Sequence, residues 1–130
     1  MLRAAIVGLG WWGRHIVSTL QDKSDKIRFI RAVDIKRDET LGFASDASML
    51  LSADLMDVLS DDTVEAVVIA TPHTLHEKQV IASATAGKHV FCEKPLALTR
   101  ESAERAISAC EVAKVVLGVA FCSHLLFQRA

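Results

Sequence analysis

The sequence has no excess of either charge: 15 Lys and Arg stand against 16 Asp and Glu, for a formal net charge of -1. That balance leaves no electrostatic footprint for nucleic acid or an anionic membrane, so an anionic ligand has to be held by local geometry. Long apolar runs are missing as well. Ala66 to Ala70 and Val115 to Phe121 fall far short of the roughly 20 residues that span a bilayer. No basic stretch followed by an apolar one precedes Leu2 to Val7, which argues against a secretory leader and makes cytoplasmic residence the expectation. Cysteine is sparse and odd in number. Cys92, Cys110 and Cys122 lie too far apart for a C-x-x-C pair, so a disulfide framework and a zinc knuckle are disfavoured and reduced, mostly buried thiols are expected. Internal repeats, low-complexity tracts and linkers are also lacking.

What is present is ample core material, 51 % hydrophobic residues in a chain of 130, the size of one domain. Apolar, β-rich runs alternate with helical patterns. Strands are predicted near Arg3 to Val7, Arg28 to Val33, Ala66 to Ala70, His89 to Phe91 and Val115 to Val119, with a short extra one near Met49 to Leu51. Helices are predicted over Arg14 to Gln21, Thr74 to Ala86 and Arg100 to Ala113, the last capped by Thr99. A capping box at Thr74 to Glu77 and a stop at Gly87 mark the middle one. Lys36 to Ser60 has no clean period; Asp54 to Leu59 reads as a short helix. The rhythm is that of an α/β fold, a doubly wound and mostly parallel sheet with helices on both faces.

Gly8-Leu9-Gly10-Trp11-Trp12-Gly13 falls between the first strand and the first helix, the context in which G-x-G-x-x-G binds a dinucleotide. Gly8 makes the tight turn. Gly10 lets the backbone approach a pyrophosphate, and Gly13 lets helix and strand pack closely. Amides and the helix dipole then supply the local positive potential that net charge does not. Trp11 and Trp12 either shield the pyrophosphate, meet the nicotinamide, or simply pack.

Asp34 closes the second strand about 20 positions beyond Gly13, where a carboxylate reads the adenosine ribose hydroxyls and repels a 2'-phosphate. It favours NAD. Lys36 and Arg37 follow directly, and a guanidinium there could neutralise such a phosphate, so NADP stays open.

Two further segments complete the pattern: Thr71-Pro72-His73-Thr74-Leu75-His76 after the fourth strand, and Gly87-Lys88-His89-Val90 running on to Glu93-Lys94-Pro95. From Ala5 to about Phe121 the chain resembles the Gfo/Idh/MocA oxidoreductases, the glucose-fructose oxidoreductase and inositol dehydrogenase family. The resemblance implies NAD(P)-dependent hydride transfer with a sugar-like or cyclitol-like alcohol. Lys94 would lie beside the reacting carbon, where a cationic nicotinamide disfavours the ammonium form and the amine accepts the hydroxyl proton. It places Glu93 on the nicotinamide side and gives Pro95 the task of fixing the corner. Thr71, Pro72, His73 and His76 would line the cofactor cleft. A metal at His73 and His76 is disfavoured, because His-x-x-His-Glu matches no zinc motif and no further ligands cluster nearby. Cys92 has no partner pattern for a nucleophile and reads as core filler.

The family also implies a C-terminal α+β domain that binds substrate, supplies a histidine and forms the subunit interface. It is absent from these 130 residues. The expectation is a NAD(P)-binding domain over 1–120, with 121–130 beginning the crossing to that missing domain. There the match weakens: His124 lacks a neighbouring arginine, and no proline stands near Phe127. The chain is therefore either part of a longer dehydrogenase, inactive or weakly active alone, or a short dinucleotide-binding or regulatory module without catalysis. A structural subunit with an empty cleft is a third class. Homo-oligomerisation through the apolar Val115 to Phe127 end is expected.

Overall fold

A computed structural model of the chain describes residues 1–119 in full, and the backbone of Ala120 and of Leu125–Arg129. In chain order the elements are β1 (Leu2–Val7), α1 (Trp11–Leu20), β2 (Ile27–Val33), α2 (Arg37–Asp46), β3 (Leu50–Ser52) and α3 (Leu55–Leu59). They continue as β4 (Ala66–Ile69), a 3-10 turn (His73–Leu75), α4 (His76–Thr85), β5 (His89–Glu93), α5 (Arg100–Ala113), β6 (Val116–Ala120) and β7 (Leu125–Arg129).

The strands form one sheet in the order β3-β2-β1-β4-β5-β6-β7. Every neighbouring pair is parallel except β6 with β7, which is antiparallel. The order reverses between β1 and β4. A crevice opens at the carboxyl ends of the strands at such a switch point, and ligands of open α/β sheets bind there. His124 and Cys122 lie outside the described residues.

Side chains of a strand alternate between faces, and the core divides accordingly. Ala4 and Ile6 of β1 join Phe29, Val17 of α1 and Ala44 of α2 on one face. Ala5 and Val7 join Val58 of α3, Val80 of α4 and Cys110 of α5 on the other. β4 is buried along its whole length, which its unbroken Ala-Val-Val-Ile run permits. The first face is incompletely covered: Ile16 and Leu20 of α1, with Val68, Phe91, Val116 and Gly118, line an apolar groove of about 420 Å³.

The helix ends show where local chemistry decided. Thr99 and Ser102 cap α5 reciprocally, as expected of Thr99. Gly87, at φ +80°, ends α4. The capping box at Thr74 does not form; Pro72 leads instead into a 3-10 turn, and α4 begins at His76 with no side-chain cap. Glu77 instead pairs across to Arg105 of α5 at 2.9 Å. α1 starts at Trp11 rather than Arg14, and α2 fills the stretch that lacked a period.

Candidate functional site

The glycine turn follows from its space. Gly8 has φ +99°, a conformation side chains rarely adopt, and a Cβ there would lie 2.7 Å from the Ala70 carbonyl oxygen. A Cβ on Gly13 would sit 1.9 Å from the oxygen of Gly8, so α1 could not approach β1 as it does. A Cβ on Gly10 would meet nothing within 4 Å. Gly8 and Gly13 are thus required by the protein itself, whereas Gly10 leaves an open cradle beside the N-terminus of α1. That helix opens at Gly10 without a side-chain cap. Its first amides and its dipole favour an anion in that cradle, so the residues present fit a dinucleotide pyrophosphate.

Asp34 is brought to this turn from the end of β2. Its Oδ2 accepts from the Leu9 amide and its Oδ1 from the Lys36 amide, both at 2.7 Å. The carboxylate is therefore oriented before any ligand arrives, and each oxygen retains a lone pair for a hydroxyl donor. Lys36 and Arg37 are exposed where α2 begins. Arg14 was not anticipated in the sequence. Its Nε donates to the Leu9 carbonyl at 2.9 Å, Nη2 reaches the Glu39 carbonyl at 3.4 Å, and the guanidinium lies over Phe43 at 5.9 Å. It braces the turn against α2. Its place one residue after Gly13 was the available signal.

The opposite wall is built from the loop after β4 and the corner after β5. Thr71 donates its hydroxyl to Gln79 of α4 at 2.5 Å. His76 is buried, with Nδ1 2.7 Å from the Pro95 carbonyl and Nε2 2.9 Å from the Thr71 carbonyl. Both carbonyls are acceptors and a neutral imidazole carries one N–H, so the ring donates to one of them at a time while it packs between the loop after β4 and the corner after β5. His73 is exposed nearby, as is Pro72. The Lys94-Pro95 peptide is cis, and Lys94 is exposed.

Trp12 joins the two walls. Its Nε1 donates to Glu93 Oε2 at 2.6 Å, and its ring stacks with Trp11 and His15 at centroid distances of 5.7 and 5.2 Å. Trp11 is 76 % exposed, so of the roles weighed for the tryptophans, burial in the core does not apply to it. Cys92, beneath Glu93, is fully buried; burial above all, then the charge of Glu93 and the neighbouring Cys110, push its thiol up to about 12. That keeps it protonated and inert as a nucleophile.

The glycine turn with the Asp34 carboxylate and the Glu-Lys-Pro corner thus lie at the carboxyl ends of the strands about the switch point. Residues 2–121 match the Gfo/Idh/MocA family, described as an oxidoreductase family with a NAD-binding Rossmann fold. The D-xylose 1-dehydrogenase [NADP(+)] of Haloarcula marismortui is 30 % identical over 95 % of this chain and 35 % of its own length. The scyllo-inositol 2-dehydrogenase (NADP(+)) of Bacillus subtilis is 32 % identical over 90 % of this chain and 36 % of its own. The crystal structure of the WlbA dehydrogenase from Bordetella pertussis, in complex with NADH and UDP-GlcNAcA, superposes with a TM-score of 0.86 at 29 % identity. It aligns over 92 % of this chain and 36 % of that one. The chain spans about a third of the length of such relatives. The parallel sheet, the glycine turn at its switch point and these matches together make the chain a member of the Gfo/Idh/MocA oxidoreductases, a NAD(P)-binding Rossmann domain of that family.

Proposed function

We propose that the chain is the cofactor half of a dehydrogenase acting on a sugar-like or cyclitol-like hydroxyl. The observation that carries this reading is the Asp34 carboxylate, held by the Leu9 amide of the glycine turn while the Glu93-Lys94-Pro95 corner closes the other wall. Gly8, Gly10 and Gly13 admit the pyrophosphate, Asp34 takes the adenosine ribose, and Arg37 lies at the edge of that subsite. Trp11, Trp12, Thr71, Pro72, His73, Glu93 and Pro95 border the nicotinamide half; His76 supports it from below.

A bound nicotinamide would supply hydride transfer at its C4. Lys94, exposed at the mouth, takes the hydroxyl proton as the alcohol is oxidised and returns it in the reverse direction. Asp34 supports NAD over NADP, since a 2'-phosphate would face a carboxylate. The proposed domain covers 1–120, with 121–130 leading toward a substrate-binding part in a longer form. Cytoplasmic residence and self-association, through the apolar surface near the exposed Val116, belong to the same reading.

Calorimetric titration of the chain with NADH and NADPH tests the cofactor part. Micromolar NADH binding is expected, weaker for NADPH; millimolar or weaker binding of both overturns it. In a longer protein carrying this domain, Lys94→Ala is expected to cut turnover far more than cofactor affinity.

A further inference from the structure

The hydrogen bond from Trp12 to Glu93 joins residues on opposite sides of the crevice, 81 positions apart in sequence. Trp12 stands in the first turn of α1, directly after β1, and Glu93 ends β5. β4 lies between those two strands, so the indole reaches across the carboxyl end of β4, a span of about 10 Å at the usual strand spacing. The indole N–H is a single donor with one direction, and the carboxylate is a charged acceptor. Stacking on Trp11 and His15 restricts the ring that carries it.

The half of the crevice involved follows from the fold. A dinucleotide lies across the switch point, and Asp34 fixes its adenosine end at the β2 side. The other end lies over β4 and β5, where Glu93 immediately precedes Lys94. We propose that Trp12 is a positioning residue for the nicotinamide half of the site: by holding the Glu93 carboxylate it fixes the corner from which Lys94 projects. Glycines in the same turn serve the pyrophosphate, so one six-residue segment organises both the anion cradle and the reactive end.

This rests on the dinucleotide reading of the crevice, and the test keeps the two apart. The 130-residue chain is titrated with NADH and with ADP-ribose, which has the adenosine and pyrophosphate but no nicotinamide. Trp12→Phe keeps an aromatic ring in the stack and removes the donor; Glu93→Gln keeps the size of the acceptor and removes its charge. Each variant is expected to weaken NADH about tenfold, the loss of one charge-assisted hydrogen bond, while ADP-ribose changes less than about twofold. The double variant is expected to be no weaker than either single one. In ¹H–¹⁵N spectra, Glu93→Gln is expected to move the Trp12 indole resonance far more than that of Trp11. Equal losses for both ligands, an unchanged ratio, or additive effects in the double variant overturn the positioning role. If the unmodified chain binds neither ligand, it is the dinucleotide reading that fails.

Discussion

Replacing Gly13 and Gly10 separately by alanine distinguishes what the turn does for the protein from what it does for a ligand. At Gly13 the added Cβ would lie 1.9 Å from the Gly8 oxygen and 2.9 Å from its carbonyl carbon, both backbone atoms that cannot turn aside. Helix α1 would have to move away from β1, disturbing the packing of Val17 against Ile6 and Phe29. Overpacking of this kind costs about 3 kcal/mol, near the upper end for an added methyl group. For a domain of this size, that lowers Tm by roughly 10 °C. At Gly10 the new methyl group meets nothing within 4 Å, and the backbone, at φ -72° and ψ -169°, suits alanine. Only a slightly poorer helix start is expected, about 0.5 kcal/mol or roughly 2 °C. The methyl group would nevertheless stand in the cradle, and NADH affinity is expected to fall at least tenfold. Thermal unfolding by circular dichroism and NADH titration on the same preparations provide the assay. A Gly13→Ala protein that melts within a degree of the parent, or a Gly10→Ala protein that binds NADH equally well, refutes the reasoning.

Asp34→Ser removes the carboxylate that accepts from Leu9 and Lys36; NADH affinity is expected to fall about tenfold and NADPH to gain relative to it, and unaltered affinities for both would remove Asp34 from ribose recognition. Lys88 is buried with Nζ donating to the carbonyls of Asp61 and Val64, both at 2.8 Å. Lys88→Met removes the donor to the Val64 carbonyl and one of the two donors to that of Asp61, which keeps the Val64 amide at 3.1 Å, and is expected to cost about 2 kcal/mol in urea unfolding, an unchanged midpoint being the contrary result. Because the folded Cys92 thiol is pushed up to about 12 from an ordinary 9.0, its contribution to stability is full below pH 9.0 and is lost as pH rises toward 12, since the unfolded chain ionises first. The stability difference between parent and Cys92→Ala is therefore expected to shrink between pH 8 and pH 11 in urea titrations, and a constant difference would exclude this linkage.

Strongly patterned elements were legible in the sequence because burial on both faces leaves few alternatives. β4 reads as a strand from Ala66-Val67-Val68-Ile69 alone, and α5 from Ala106 and Cys110 at helical spacing behind Thr99. α2 was not legible, since it buries only Thr40 and Ala44 and leaves Leu41 exposed, so no apolar stripe announces it. The capping box at Thr74 had the right spacing but lost to Pro72, whose fixed φ starts a 3-10 turn first. At the site, single residues in known contexts were readable: Gly8 makes the tight turn and Gly13 the close approach of α1 to β1 that their positions suggested. Bonds between distant segments were not. Nothing in the one-dimensional pattern links Trp12 to Glu93, Arg14 to Glu39, or His76 to Pro95, because those partners are set by strand order and loop path.

The imidazole of His76, buried between the carbonyls of Thr71 and Pro95, packs two loops from different strands against one ring. A ligand arriving at that wall meets loops already packed on a buried side chain, so less ordering entropy opposes its capture than if each were free.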